Sequence, residues 1–175
     1  MKMITVHLLV LTCLLPVIIC EEAITDPVDV LQINHLLLKN YHGKLNSKIL
    51  KLFPNVEIFE IRNCNFTTVH DEFFHSIPKV RKLIVIDSSI KREDHDISSC
   101  CWKLKEIDFI NAGFDIVPWH KMGSHWPLER MYLYKEIVPH LKEKFFENKH
   151  LKNLTIENAN LENIEDSAFQ GLIKH

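Results

Sequence analysis

Leu151-Lys-Asn-Leu154-Thr-Ile156-Glu-Asn-Ala159-Asn-Leu161-Glu-Asn-Ile164 is the stretch whose spacing decides the fold. With Leu151 as position 1, apolar residues stand at 1, 4, 6, 11 and 14, and the small Ala159 stands at 9. A helical stripe would repeat at three and four residues, and a lone half-buried strand would alternate strictly; this stretch does neither. A short strand accounts for positions 4 to 6, because Leu154 and Ile156 then share a face and Thr155 points away. The later apolar positions require the chain to turn and come back beneath that strand. One such unit has nothing to pack against, so it is stable only as a member of a stack.

The rest of the chain supplies the stack. Val56, Phe59, Ile61, Cys64, Phe66 and Val69 repeat the spacing, as do Val80, Leu83, Val85, Ser88 and Ile90. Leu104, Ile107, Phe109, Ala112, Phe114 and Val117 follow, then Leu128, Met131 and Leu133. The starts at Val56, Val80, Leu104 and Leu128 are 24 residues apart, and Leu128 to Leu151 is 23. A looser first copy is placed at Val28, with Leu31, Ile33, Leu36 and Leu38, and runs 28 residues. In its long return, Leu45, Ile49, Leu52 and Phe53 are expected to turn inward, up to a stop at Pro54. Six copies therefore cover 28–175, after a short polar lead-in at 21–27.

The first twenty residues read as a secretory signal. Lys2 supplies the positive start, Ile4 to Ile19 is almost wholly apolar, and Ile18 and Cys20 stand where the residues before a cut belong. The apolar run is short for a membrane span, which needs about 20 residues. The product is expected to be secreted and extracellular, with no membrane insertion once the signal is removed. Of the 175 residues, 46% are hydrophobic and 25% charged, an ordinary balance for one globular domain. Removal of Lys2 with the signal leaves 20 basic against 23 acidic side chains, a net charge of -3. Nucleic acid would call for a basic face, which this balance does not favour.

These copies resemble the secreted leucine-rich repeat proteins of the 24-residue extracellular class, over nearly the whole chain after the signal. The resemblance implies an α/β fold: a right-handed solenoid, or horseshoe, with a parallel β-sheet on its concave side and short helical or irregular segments on its convex side. It also implies a recognition module, not an enzyme. The family usually places Asn at position 9, where its amide satisfies backbone groups in the turn. Here position 9 reads Leu36, Cys64, Ser88, Ala112, Glu136 and Ala159, so that ladder is missing and a less regular curve is expected. The fifth copy, with Glu136 and Pro139, is the expected point of distortion. Asparagines nearby, at Asn63, Asn65, Asn111, Asn158 and Asn160, can bond locally instead.

In this register positions 2, 3, 5, 7 and 8 face outward, and equal positions stack into columns about 4.8 Å apart. Position 5 reads Gln32, Glu60, Ile84, Asp108, Tyr132 and Thr155; position 7 reads Asn34, Arg62, Ile86, Ile110, Tyr134 and Glu157. Ile84, Ile86, Ile110, Tyr132 and Tyr134 converge, within a charged rim that includes Lys82, Asp108 and Arg130. An apolar and aromatic cluster with a charged rim is the anatomy of a protein-binding patch. β-Branched and aromatic residues also favour strands for their own sake, but solvent-facing positions have little other reason to be apolar. The ligand-binding residues named on this basis are Ile84, Ile86, Asp108, Ile110, Arg130, Tyr132 and Tyr134, and the partner is an extracellular protein.

Two N-glycosylation sequons occur, at Asn65-Phe-Thr67 and Asn153-Leu-Thr155, the second on the concave face beside Arg130. Of the cysteines beyond the signal, Cys64 and Cys101 read as small buried hydrophobes, and Cys100 is the candidate for an intermolecular disulfide. The histidines lack metal-ligand spacing and read as surface or loop residues, so neither a metal nor a cofactor is expected. No nucleophile elbow or phosphate-binding glycine loop occurs. Two other readings stand beside the recognition module: a self-assembling structural protein, with a homo-oligomer formed through an uncapped C-terminal edge, and the N-terminal part of a larger membrane receptor.

Overall fold

A computed structural model describes residues 3–9, 17–20, 31–44, 47–69, 75–92, 103–112, 127–138, 141, 146 and 150–170. The 24-residue step appears in it as a parallel β-solenoid. Its strands are β1 (Met3–Leu9), β2 (Val17–Cys20), β3 (His35–Lys39), β4 (His42–Lys44), β5 (Ile58–Arg62), β6 (Asn65–Val69), β7 (Lys82–Ile86), β8 (Ser89–Arg92) and β9 (Glu106–Ile110). They continue as β10 (Arg130–Tyr134), β11 (Ile137–Val138), β12 (Asn153–Glu157) and β13 (Asn160–Leu161). The main sheet has eight strands in the order β12-β10-β9-β7-β5-β3-β1-β2. From β3 to β12 all neighbours are parallel and in register without a slip.

That register builds the core from two rows. Leu36, Phe59, Leu83, Ile107, Met131 and Leu154 line up at position 4, and Leu38, Ile61, Val85, Phe109, Leu133 and Ile156 at position 6. Strand side chains alternate faces, so both rows point to the same side and form one continuous apolar wall. All are buried except Leu154 and Ile156, which are half-buried. Behind the wall, Phe66 packs at a tilt against Tyr41 at 5.6 Å, and Phe146 stacks on Phe169 at 5.5 Å.

Each coil leaves the main sheet through the same backbone device. The residues at position 8 are Asn40, Asn63, Asp87, Asn111, Lys135 and Asn158, and every one is left-handed, with φ between 47 and 58°. Asn and Asp enter that region most readily among residues with a Cβ, which explains why the asparagines recur there. The turn also ties neighbours together. Asn40, Asn63, Asp87, Asn111 and Lys135 each donate their N–H to the position 7 carbonyl of the next coil, at 2.8 to 3.1 Å. Asn63 Nδ2 donates to Asn40 Oδ1 and Asn111 Nδ2 to Asp87 Oδ1, both at 2.8 Å. Asn63→Val, which forces a β-branched side chain into the left-handed region, is expected to cost about 1–3 kcal/mol in urea unfolding, while Asn63→Gly stays within about 1 kcal/mol of the parent.

Position 9 carries a second ladder, made without asparagine. Cys64 Sγ accepts the N–H of Tyr41 at 3.4 Å, Ser88 Oγ accepts that of Cys64 at 3.0 Å, and Glu136 Oε1 accepts that of Ala112 at 2.6 Å. Ser88 Oγ also donates to its own position 7 carbonyl, Ile86 O, at 2.7 Å, and Cys64 Sγ does the same to Arg62 O at 3.2 Å. Three different side chains thus do the job expected of an amide. The fifth coil, anticipated as distorted, keeps a regular strand in register on both sides, with Glu136 serving as its rung. Pro139 lies outside the described residues.

Beyond these turns a second layer of short parallel strands runs in the order β4-β6-β8, and β11 pairs with β13. Short helical segments were expected on this side; among the described residues the one helix is α1 (Ser47–Leu50). Leu50 and Phe53 turn inward there, whereas Leu52, expected inside, is 55% exposed.

The first copy sits five residues later than its apolar spacing suggests. Leu36 pairs with Phe59 and Leu38 with Ile61, so Ile33, and not Val28, takes the place of Val56. The run of leucines allows several registers by hydrophobicity alone. The adopted one buries Ile33 completely, leaves Leu31 54% exposed and brings Asn40 to the left-handed turn. Position 9 of this copy is therefore Tyr41, and its outward residues are His35, Leu37 and Lys39. β1 continues the sheet in parallel alongside β3, from Met3 opposite His35 to His7 opposite Lys39, with β2 antiparallel beyond it.

Candidate functional site

The outer face of the main sheet is built by positions 3, 5 and 7 of each strand. Position 3 carries His35, Ile58, Lys82, Glu106, Arg130 and Asn153. Position 5 carries Leu37, Glu60, Ile84, Asp108, Tyr132 and Thr155, and position 7 carries Lys39, Arg62, Ile86, Ile110, Tyr134 and Glu157. All seven residues named from the sequence lie on this face, on β7, β9 and β10. They do not play equivalent parts.

Asp108 and Arg130 belong to a closed ionic network. Arg130 Nη2 donates to Glu106 Oε2 at 2.9 Å and to Asp108 Oδ2 at 3.1 Å. Lys82 Nζ lies 3.3 Å from Asp108 Oδ2 and 3.5 Å from Glu106 Oε2. Arg130 Nη1 also comes within 2.9 Å of Asp108 Oδ1, close enough for charge pairing but without hydrogen-bond alignment. Two cations and two carboxylates cancel, and Asp108 is only 9% exposed. The Arg130 hydrogen bond holds the Glu106 carboxyl below its usual range.

Charges also pair along the position 2 column, where three cations face two carboxylates. Arg81 pairs with Glu57, and Glu129 receives Lys152 at 2.7 Å and Lys105 at 2.9 Å. Those two ammonium groups, Lys152 first, pull the Glu129 carboxyl down to about 2.

Beyond both ladders, toward the C-terminal ends of the strands, lies the apolar band. Ile86, Ile110 and Tyr134 are consecutive neighbours at position 7, with Ile84 and Tyr132 beside them at position 5. All five are half-buried, so each still shows hydrocarbon to solvent. The Tyr132 and Tyr134 rings stack at 6.4 Å, and Lys135 Nζ lies 5.4 Å from the Tyr134 ring centre. Tyr132 donates its hydroxyl to Glu157 Oε2 at 3.1 Å. Partial burial and that carboxylate keep the phenol protonated above its usual range. The band is thus a preformed surface in which one of the two tyrosine hydroxyls, that of Tyr132, is held in place.

Sequence reasoning missed the first-coil end of the face. His35, grouped with the surface histidines, is 7% exposed, and its Nε2 lies 2.9 Å from Glu60 Oε2. Glu60 is itself buried and also receives Arg62 Nε. The signal for His35 was available only through the shifted register, which brings it to a strand and opposite the Glu60 coil. Both sequon asparagines are exposed: Asn65 opens β6 and accepts Ser89 Oγ at 2.9 Å, and Asn153 lies at position 3 opposite Arg130. Cys64 is a free, buried cysteine, and burial raises its thiol pKa. Cys100 and Cys101 lie outside the described residues. No group of acidic, histidine and cysteine side chains suited to a metal occurs among the described residues.

Fold and face together define a class: a parallel β-solenoid of stacked coils, with the repeat pattern of a repeat protein. No protein-family model and no curated protein matches the chain.

Proposed function

We propose that the chain is an exported leucine-rich repeat protein that binds a protein ligand on the outer, concave face of its main sheet. The observation that carries this reading is the apolar band of Ile84, Ile86, Ile110, Tyr132 and Tyr134 beside the self-neutralised network of Lys82, Glu106, Asp108 and Arg130. Solvent-facing apolar side chains gathered in one patch are costly to leave exposed and mark interaction sites. The neighbouring charges are spent on one another, so the patch offers a ligand apolar contact and a fixed polar rim. Export is the reading of residues 1–20; their removal would take β1 and β2 with them and leave β3 as the first strand. A glycan on Asn153 would shield the β12 end of the face and direct binding toward β7 to β10.

The test is capture from extracellular fluid by the immobilised chain. Because the rim charges are already paired, long-range attraction contributes little, and screening by salt has little to remove. The captured protein is expected to be retained equally at 0.15 and 0.5 M salt, within about threefold. Elution by the higher salt would show that charge, not the apolar band, holds the ligand.

A further inference from the structure

Glu136 is the one carboxyl in the position 9 ladder. The equivalent side chains, Cys64 and Ser88, are uncharged, and each both accepts from the preceding coil and donates to a carbonyl of its own. Glu136 is 1% exposed. Its Oε1 accepts the Ala112 N–H at 2.6 Å, while its buried Oε2 has no partner. A neutral amide would fill a purely structural rung without burying an ionisable group. A carboxylic acid in this place can donate only while it holds its proton, and an ionised carboxylate with one donor is poorly accommodated.

Among the described residues, the surroundings offer an ionised Glu136 no compensating charge. The flanking coils place Asn111 and Ala112 on one side and Asn158, Ala159 and Asn160 on the other, all uncharged. Lys135 is exposed with its ammonium over the Tyr134 ring, Glu157 faces outward to Tyr132, and Glu162 on the sixth coil is exposed. Burial pushes the Glu136 carboxyl up to about 7, against the modest lowering by the Ala112 N–H.

We propose that Glu136 is a proton-operated latch between the fourth and fifth coils. Protonated, it seats the fifth coil on the fourth; ionised, it loosens that seam and, with it, the Tyr132–Tyr134 end of the outer face. Control of ligand binding by the latch rests on the binding-face reading above, but the latch itself does not.

The direction of the pH dependence follows from the raised pKa. The folded chain keeps a proton that the unfolded chain has already lost between the ordinary carboxyl range and about 7, so stability falls as pH rises through that window and levels off above it. The experiment is urea unfolding of the full chain and of Glu136→Gln at steps from pH 5 to pH 8. Histidines titrate in the same window in both proteins, so the difference between the two isolates Glu136. The folding equilibrium constant of the parent is expected to fall on the order of tenfold to a hundredfold relative to Glu136→Gln across that range. A difference that stays constant with pH overturns the latch.

Hydrogen exchange on the parent provides a second arm if the variant does not fold. After correction for chemical exchange, protection of Arg130–Tyr134 is expected to decline with pH relative to Lys82–Ile86. A constant ratio between the two strands overturns the proposal. Neither arm uses a ligand, so failure of the latch and failure of the binding-face reading are separate results.

Discussion

Phe109→Ala is expected to lose about 3–5 kcal/mol of unfolding free energy, among the largest effects of any single substitution here. Phe109 is wholly buried at position 6 of β9, between Val85 and Leu133 on the flanking strands. Those neighbours are fixed by their own coils, so the space left by the ring cannot close without breaking the in-register ladder. Dispersion contacts and apolar burial are then lost together. Denaturant unfolding followed by circular dichroism measures the loss. Ile110→Ala, one residue along on the opposite face, supplies the contrast at about 1 kcal/mol or less. Similar losses at both positions would mean that β9 has no outer face.

The second large effect is on binding. Ile110→Asp combined with Tyr132→Ser is expected to reduce ligand capture at least a hundredfold, since central apolar and aromatic anchors each contribute about 2 kcal/mol or more to an interface. Both side chains are half-buried on the outer face, so the unfolding midpoint should change little. Tyr132→Ser also releases Glu157 from its hydroxyl partner, and the added aspartate places a charge between Ile86 and Tyr134. Undiminished capture by a folded double variant would remove the apolar band from the binding surface. Unfolding of the variant would place these residues in the core.

How much of this was legible beforehand differs from residue to residue. The wall of Phe59, Leu83, Ile107 and Met131 was readable because the spacing of 1, 4, 6 and 9 admits only a strand that bends back under itself. The outward placement of Ile84, Ile110 and Tyr132 followed from the same register with no further information. The first copy was not readable in this way. Leu31, Ile33, Leu36, Leu37 and Leu38 satisfy more than one register by apolar count, and the decision rests on a backbone requirement, that Asn40 reach the left-handed turn. With that register misplaced, His35 could not be matched to the buried Glu60.

The position 9 ladder was misread for a different reason. Its expected asparagine is a residue type, whereas what the turn requires is an acceptor at one point, which the sulfur of Cys64, the hydroxyl of Ser88 and the carboxyl of Glu136 all supply. Likewise, Asp108 looked like an available binding charge. Its pairing with both Lys82 and Arg130 depends on two neighbouring columns at once, which no single copy of the repeat displays.

The central claim is that one register turns Ile86, Ile110 and Tyr134 toward solvent as a continuous row while Val85, Phe109 and Leu133 face the core. Methyl and aromatic NMR in the presence of a water-soluble nitroxide tests it in a single sample. Strong paramagnetic broadening of Ile86 and Ile110 is expected, with protection of Val85, Phe109 and Leu133 and through-space contacts running from Ile86 to Ile110 to Tyr134. Protected Ile86 and Ile110 methyls, or contacts that pair Ile110 with a residue other than its in-register neighbours, would contradict it.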